Sequence, residues 1–375
     1  MKIVVTGGHL TPALAFIDYA RSVRKDITFV FVGRRYMQEQ ELQTAREQDE
    51  IARRKIPFYV LNAAKIHRAV PYRNLFELGK IIQSLQQARA ILKNEKPDLI
   101  LSFGGYLAVP LALIAKLRGI PIVTHEQTAT LGLANAFMST FVHRVALAVP
   151  LKSMPRNAVV TGNPVRYSFL VHQDQRPAWL HRLSKKPLVF ITGGSQGSHV
   201  LNETVRRALG NLTQFVMIVH QCGSSKSDHY MNDLEQAKQE LSGQQRARYV
   251  VREWMTEQET AWLMQHSSLV VARAGANTVF EIELTGTPAL FVPLPFAHGN
   301  EQQKNAERLV KIGSAKMIVQ KHLTPESLTK EIKVLLSQLS KIKKRAVLHR
   351  LDVESRGSEK LLTECIRVHA ETQID

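Results

Sequence analysis

Cysteine is almost missing from this chain: Cys222 and Cys365 are the only two among 375 residues. A disulfide framework and a cysteine metal cluster are thereby excluded, which suits a reducing compartment. Long apolar runs are missing too. The uncharged stretch from Leu99 to Ala115 is broken by Gly104, Gly105 and Pro110. A spanning helix needs about 20 apolar residues, so this stretch reads as strand, glycine turn and helix. Before Gly7 and Gly8 stand one lysine and a short apolar stretch, too little for the apolar region of a signal peptide. The chain is therefore expected in the cytoplasm, with any contact to lipid peripheral. Acidic residues are scarce: 32 Asp and Glu face 50 Lys and Arg, a formal net charge of +18. That excess favours an anionic partner, whether nucleic acid, phosphorylated substrate or anionic lipid surface. Nor do two aspartates stand one residue apart, the pair with which metal-dependent transferases often hold Mg²⁺ or Mn²⁺ against a diphosphate.

What the chain does have is one device twice over. A hydrophobic strand, Lys2 to Val5, runs into Thr6, Gly7, Gly8 and His9 and then a helical pattern; another, Leu188 to Ile191, runs into Thr192, Gly193, Gly194, Ser195, Gln196 and Gly197. Glycine lets backbone N–H groups approach a phosphate, and the helix that follows aims the positive end of its dipole at the anion. Neither turn has the full spacing of a dinucleotide fingerprint or the Gly-Lys-Ser/Thr ending of a P-loop. A nucleotide-sugar type of ligand remains.

With 44% hydrophobic residues the chain can bury two cores. Apolar β-rich runs at Ile3 to Val5, Ile27 to Val32, Phe58 to Leu61, Leu99 to Phe103, Ile120 to Thr124 and Val145 to Val149 alternate with helical patterns. The cycle restarts at Leu188 to Ile191 and continues through Phe215 to His220, Tyr249 to Val251, Leu269 to Val271, Ala289 to Val292 and Lys316 to Val319. This alternation predicts an α/β protein of two Rossmann-like, doubly wound parallel-sheet domains facing a cleft. Gly162, Asn163 and Pro164 mark the connection, which divides the chain at 1–162 and 163–350. A basic stretch with Lys341, Lys343, Lys344, Arg345, His349 and Arg350 precedes a last amphipathic helix, about 351–375, that could cross back over the first domain.

Ligands of open parallel sheets gather at the carboxyl ends of the strands, so the polar, glycine-rich loops there are the place to look. Besides the two turns they are Ser102 to Tyr106, His125 to Gln127, Arg273 to Glu281 and His298 to Asn305. His9 stands at a helix amino terminus, where the dipole disfavours imidazolium and leaves a ring nitrogen to accept a proton. It reads equally well as a histidine that bonds the turn or the substrate. Glu126 could orient a sugar hydroxyl, act as a base or brace the backbone. Glu281, four residues after Asn277, suits the two hydroxyls of a ribose, or is simply a helix-start charge worth about 0.3 to 1 kcal/mol. Arg273 could neutralise phosphate or hold a base, or be a surface charge. Gln302 and Asn305 could read sugar hydroxyls or cap a helix. Without a metal pair, a leaving diphosphate would be stabilised by loop amides, helix dipoles and a few cationic or amide side chains.

Together these loops resemble the MurG family of peptidoglycan glycosyltransferases. In the second half Gly193, Gly194, Ser195, Gln196, Gly197 and Asn202 match one family loop, Arg273, Gly275, Ala276, Thr278 and Glu281 another, and Gln302, Asn305 and Ala306 a third. In the first half Gly104, Gly105 and Tyr106, then His125, Glu126 and Gln127, then Gly162, Asn163, Pro164, Val165 and Arg166 are similar to family motifs. The resemblance implies a GT-B fold and an inverting transferase with no cofactor and no obligatory metal. Such an enzyme moves N-acetylglucosamine from UDP-N-acetylglucosamine to the MurNAc of lipid I, undecaprenyl-pyrophosphoryl-MurNAc-peptide, giving lipid II. It implies a donor held mainly by the second domain: Ser195 and Gln196 on the diphosphate with Arg166 in support, Glu281 on the ribose, Gln302 on the N-acetylglucosamine, and the segment near Trp254 and Met255 on the uracil. Arg273, Ala276, Asn277 and Thr278 complete that donor loop. The acceptor would lie on the first domain, at Thr6, Gly7, Gly8, His9, Gly104, Gly105 and Tyr106, with His9 as base or acceptor-diphosphate ligand and Glu126 as a second catalytic candidate. Two positions depart from the family, both on the acceptor side. Val4 and Val5 stand where two glycines usually precede the threonine, and Thr128 stands where an asparagine follows His-Glu-Gln.

A lipid-linked acceptor implies a peripheral enzyme at the cytoplasmic face of the membrane. Lys65, Arg68, Arg73 and Lys80 flank Leu75, Phe76, Leu78, Ile81 and Ile82. Such a mixture suits an anionic membrane surface, at roughly 1 kcal/mol per basic residue, or an amphipathic helix facing its own core. Rival readings are a GT-B glycosyltransferase for another polyprenyl or diacylglycerol lipid, a UDP-sugar epimerase, a lipid-bound scaffold without activity, and a nucleic-acid-binding protein. The last lacks a recognition motif and its charge is dispersed, so no nucleic acid is expected.

Overall fold

The computed structural model describes residues 1–34, 46–63, 78–223, 230–295, 300–350 and 356–374. The chain forms two compact units. In the first, β1 (Lys2–Thr6), α1 (Leu10–Val23), β2 (Thr28–Gly33), α2 (Arg46–Arg53), β3 (Phe58–Val60), α3 (Leu78–Glu95), β4 (Leu99–Ser102), α4 (Ala108–Leu117), β5 (Ile122–Glu126), α5 (Leu133–Met138), β6 (Arg144–Leu147) and β7 (Ala158–Val160) follow in order. The strands make one parallel sheet ordered β3-β2-β1-β4-β5-β6-β7.

The second unit begins at Tyr167. It comprises α6 (Tyr167–Leu170), β8 (Leu188–Thr192), α7 (His199–Leu212), β9 (Met217–Gln221), α8 (Tyr230–Gln239), α9 (Gly243–Arg246), β10 (Tyr249–Arg252), α10 (Glu257–His266), β11 (Leu269–Ala272), α11 (Ala276–Thr285), β12 (Ala289–Phe291), α12 (Glu301–Ile312), β13 (Ala315–Met317), α13 (Pro325–Ser337) and α14 (Leu339–Arg350). Its sheet is parallel as well, ordered β10-β9-β8-β11-β12-β13. Each sheet therefore starts in its middle, winds one way and then reverses, with the switch points at β1/β4 and β8/β11, where ligands of such sheets bind.

Strands covered on both faces need apolar residues at every position rather than at alternate ones. β8 is buried throughout as Leu188-Val189-Phe190-Ile191-Thr192, and β1 from Ile3 onward. In the first unit Ile3, Val5, Phe29, Phe31 and Phe103 face α1 on one side, while Val4, Val30, Val32 and Ile100 face α3 and α4 on the other. The residues that make β1 a strand thus also join two separate core layers.

Each of the expected apolar runs overlaps a strand, and two differences matter. β7 is not anticipated because its apolar run stops at Ala158-Val159-Val160, between Asn157 and Thr161, whereas the other three-residue strands sit in longer apolar β-rich runs. β5 runs on to Glu126, so His125 and Glu126 sit in the ladder, paired with Ala146 and Leu147. The described residues from Asn163 to Arg166 belong to the first unit.

The carboxy-terminal helix α15 (Gly357–Ile374) also belongs to the first unit. Its Leu361, Leu362, Cys365 and Val368 are buried with Phe16 and Ile17 of α1, and Arg144 pairs with Glu364 and Glu371, each at 3.2 Å. A Cβ at Gly357 would lie 2.3 Å from the Asn163 carbonyl oxygen and 2.5 Å from its carbon. In an open helix Gly→Ala stabilises by about 1 kcal/mol. Here the sign reverses. Gly357→Ala lowers the amide hydrogen-exchange protection of α15 and the thermal midpoint; a midpoint that stays or rises would show that the contact is not made.

Candidate active site

In the first unit the site is built where two glycine loops meet. A Cβ on Gly7 would lie 2.6 Å from the Phe31 ring, and one on Gly8 2.3 Å from the Gly104 carbonyl oxygen; one on Gly105 would come within 2.9 Å of Gly8 Cα. Gly104 and Gly105 both have positive φ, +76° and +80°, which L side chains rarely adopt. The loops after β1 and β4 therefore touch backbone to backbone. Ser102 Oγ accepts the Gly104 N–H at 3.0 Å, and the Thr6 carbonyl accepts that of Phe103 at 3.1 Å. Val4 and Val5 are buried inside β1, so the turn proper starts at Thr6. His9 is the N-cap of α1 and makes no side-chain cap, which leaves the first-turn N–H groups to water or an anion. Tyr106 is exposed beside this turn.

His9 is reached by solvent, yet the protein crowding its other sides strips enough hydration to lower its pKa below 6.5, only partly opposed by the Glu126 carboxylate. His125, fully enclosed, is lowered to about 4 by burial. As a neutral ring it donates Nε2–H to the Gly162 carbonyl at 3.1 Å and packs on Phe103, centroid to centroid 5.4 Å. Glu126 is buried and both oxygens are occupied: Oε1 by the Thr128 N–H at 3.1 Å and hydroxyl at 2.8 Å, Oε2 by the Gly132 N–H at 2.8 Å and Asn135 Nδ2 at 2.9 Å. Of the roles open to Glu126 this arrangement favours the brace over the base, because a carboxylate holding four donors has no lone pair in waiting. Thr128 supplies two of those four, its N–H and its hydroxyl.

The second unit repeats the close approach. Gly194, Gly197 and Gly223 have φ of +81°, +78° and +85°; a Cβ on Gly197 would lie 2.0 Å from Cys222 O, and one on Gly223 2.1 Å from Gly197 N. Asn202 holds this crossing by donating Nδ2–H to Cys222 O at 2.8 Å. Its Oδ1 accepts from His220 Nε2 at 3.1 Å, and His220 Nδ1 accepts from the Tyr249 hydroxyl at 2.9 Å. Burial lowers His220 to about 3, so this chain runs through a neutral imidazole. Ser195 and Gln196 are exposed at the tip of the turn, and Ser198 caps α7 by accepting the Leu201 N–H.

Beyond β11, α11 starts after Gly275 with no side-chain cap, and its first-turn N–H groups at Ala276, Asn277 and Thr278 are available to an anion. The Asn277 Oδ1 atom is buried without a partner, and Glu281 follows one turn later, buried. Gln302 Oε1 accepts both the Ala274 N–H at 3.2 Å and the Leu294 N–H at 3.0 Å, while Asn305 Nδ2 donates to Ala274 O at 3.2 Å. Both residues thus clamp Ala274 to the start of α12. Arg273 Nη1 donates to Val292 O at 3.0 Å and Pro293 O at 3.3 Å, with a pKa lowered by burial. Its geometry is that of a brace on the loop after β12 rather than a free phosphate ligand. Met255 is buried and Trp254 exposed. His298 lies outside the described residues. Among the described residues no three His, Cys, Asp or Glu side chains are grouped to hold a metal ion.

Residues 3–147 match the glycosyltransferase family 28 N-terminal domain and residues 188–352 the glycosyltransferase family 28 C-terminal domain. A Clostridium kluyveri protein is 32% identical over 346 residues, 89% of this chain and 91% of the relative, and one from Vibrio parahaemolyticus is 34% identical over 355 residues, 93% and 92%. The chain belongs to glycosyltransferase family 28. Both relatives are named UDP-N-acetylglucosamine–N-acetylmuramyl-(pentapeptide) pyrophosphoryl-undecaprenol N-acetylglucosamine transferase. The crystal structure of Acinetobacter baumannii MurG superimposes with a TM-score of 0.70 at 28% identity, covering 98% of this chain and all of that one. The GT-B fold follows.

In this family 28 chain the glycine turns, α11 and the start of α12 were legible from the sequence. Gly223, Asn135 and the His220–Tyr249 pair were not. A lone glycine after a strand is too common to mark a crossing, and a buried hydrogen-bond chain leaves no spacing pattern. The two buried histidines make a pH signature. Unfolded imidazole titrates near 6.5, whereas His125 and His220 do so near about 4 and about 3. Below pH 6.5 the unfolded chain therefore binds more protons and stability falls with pH, by up to about 1.4 kcal/mol per pH unit for each histidine. His125→Gln flattens that slope between pH 6.5 and 5, read as urea midpoints and hydrogen exchange of the first unit; an unchanged slope would mean the imidazole is not held neutral.

Proposed function

We infer that this chain transfers N-acetylglucosamine from UDP-N-acetylglucosamine to the MurNAc of lipid I, with inversion, giving lipid II. What carries the reading is identity above 30% along nearly the whole length of relatives bearing that name, joined to a chain whose two glycine turns and uncapped helices suit diphosphates. The alternative lipid acceptors have no comparable support.

The second unit holds the donor. Ser195, Gln196 and the amides at the start of α11 receive the diphosphate; Glu281 takes the ribose and Gln302 Nε2 the sugar, and the Trp254–Met255 segment flanks the uracil. The first unit holds the acceptor against Thr6, Gly7, Gly8, Gly104, Gly105 and Tyr106. His9 in its neutral form takes the proton from the acceptor hydroxyl as that oxygen attacks the anomeric carbon. UDP leaves as negative charge builds on its diphosphate, where helix-start amides and turn N–H groups stabilise it. Glu126 fixes the Thr128–Asn135 loop beside His9. No metal need enter these steps.

No helix among the described residues is long and apolar enough to cross a membrane. We place the enzyme on the cytoplasmic face of the membrane as a peripheral protein. Ile81 and Ile82 on α3 are exposed, as are Leu117, Lys116 and Arg118 at the end of α4, and this mixture suits anionic lipid. Lys65, Arg68, Arg73, Leu75 and Phe76 lie outside the described residues, as does the side chain of Leu78.

UDP release from UDP-N-acetylglucosamine is expected to require a lipid I analogue, whose mass increases by one N-acetylhexosamine; release without an acceptor, or an acceptor left unchanged, would overturn the reading. His9→Ala lowers turnover by about 10²-fold or more with donor affinity nearly unchanged. Because its pKa lies below 6.5, the unsubstituted enzyme keeps His9 neutral at pH 7, and its rate declines only in more acidic solution. Retained turnover in His9→Ala would remove it as base.

A further inference from the structure

A carboxylate at the last turn of a helix is misplaced twice over: the helix dipole is negative there, and burial removes the water that would solvate it. Glu283 occupies that place on α11, and its side chain has no exposed surface. Two basic side chains come to it from elsewhere in the second unit. Arg308 of α12 places Nη2 2.6 Å from Glu283 Oε2, as an ion pair off the hydrogen-bond axis, and His349 of α14 places Nε2 2.6 Å from Oε1. The Arg308 guanidinium also lies over the Phe280 ring of α11, 4.5 Å from its centroid.

Arg308 therefore grips α11 at two residues one turn apart. On α12 it follows Asn305 by three positions, so both side chains leave the same face of that helix. Asn305 and Gln302 hold Ala274, just before α11 begins, and Arg308 holds Glu283 near its end. The seam between α11 and α12 is thus pinned at both ends. Residues two apart on a helix point about 200° apart, so Glu283 and Glu281 leave opposite sides of α11, and the ion pair at Glu283 lies away from the Glu281 side.

We propose that Arg308, through Glu283, is a positioning residue that sets the α12 sugar reader Gln302 at a fixed distance from the α11 groups that hold the nucleotide. This rests on the donor reading given above. Loosening the seam leaves α11 intact and moves Gln302, so affinity for the sugar falls while affinity for the nucleotide part does not.

The test compares UDP and UDP-N-acetylglucosamine binding by calorimetry, with donor KM and kcat, in the full chain. Arg308→Met is expected to weaken UDP-N-acetylglucosamine binding and raise its KM by about 10-fold, with UDP affinity and the acceptor KM within twofold of the unsubstituted enzyme. Arg308→Lys keeps a cation at Glu283 and recovers most of the loss. If Arg308→Met does not fold because it strands Glu283, the double variant Glu283→Leu/Arg308→Met removes both charges and is expected to show the same donor-selective loss. Equal weakening of UDP and UDP-N-acetylglucosamine, or no change in either, in a folded variant overturns the proposal. Failure of the unsubstituted chain to bind either ligand would instead overturn the donor reading, and this inference with it.

Discussion

Backbone approaching backbone is the constraint that both halves of this molecule share. The loops after β1 and β4 meet through Gly8 and Gly105, and those after β8 and β9 through Gly197 and Gly223, at distances that a single methyl group would forbid. In the first unit the contact falls at the switch point of the sheet; in the second it falls on the other neighbour of the first strand. Either way the turn is pressed against the sheet and its amides are held at the strand ends, where a diphosphate can reach them. A looser turn of the same composition would supply the same donors without a fixed direction.

Polar groups buried beneath these turns keep the arrangement rigid at little electrostatic cost. His125 and His220 are neutral rings, each tying its strand to neighbouring segments through hydrogen bonds rather than through charge. Glu126 and Glu283 are the carboxyl counterparts. One is met by loop N–H groups, a hydroxyl and an amide, the other by Arg308 and His349 from two helices. Buried ionised groups persist only with such company, so both carboxylates mark loops or seams that the fold holds in one geometry.

How much of this could be read from the chain depended on how local the signal was. The parallel sheets were legible because strands buried on two faces are apolar at every position, and the turns because their glycines are consecutive. β7 escaped because its apolar run ends at three residues, between Asn157 and Thr161. The roles of Arg273, Asn305 and Glu126 were legible only as alternatives. Their residue types fit ligand chemistry, but their partners, Val292, Pro293, Ala274, Thr128, Gly132 and Asn135, are backbone groups and side chains supplied by neighbouring turns. For Asn202, His220 and Tyr249 the separation along the sequence is wide and the pairing is set by which strands are adjacent. No spacing rule anticipates that.

The return of α15 to the first unit has a bearing on how the protein is made. Its Leu361, Leu362, Cys365 and Val368 share one core with Ile3, Phe16 and Phe29, so part of one face of the first sheet, beside α1, stays open until the ribosome has delivered α15. The second unit is continuous in sequence and has all its strands and helices before that. Domains ordinarily fold in the order they are synthesised. Here the order is inverted for completion: the first unit to emerge is the last to close, and in the interval its apolar face is in the care of whatever meets the nascent chain.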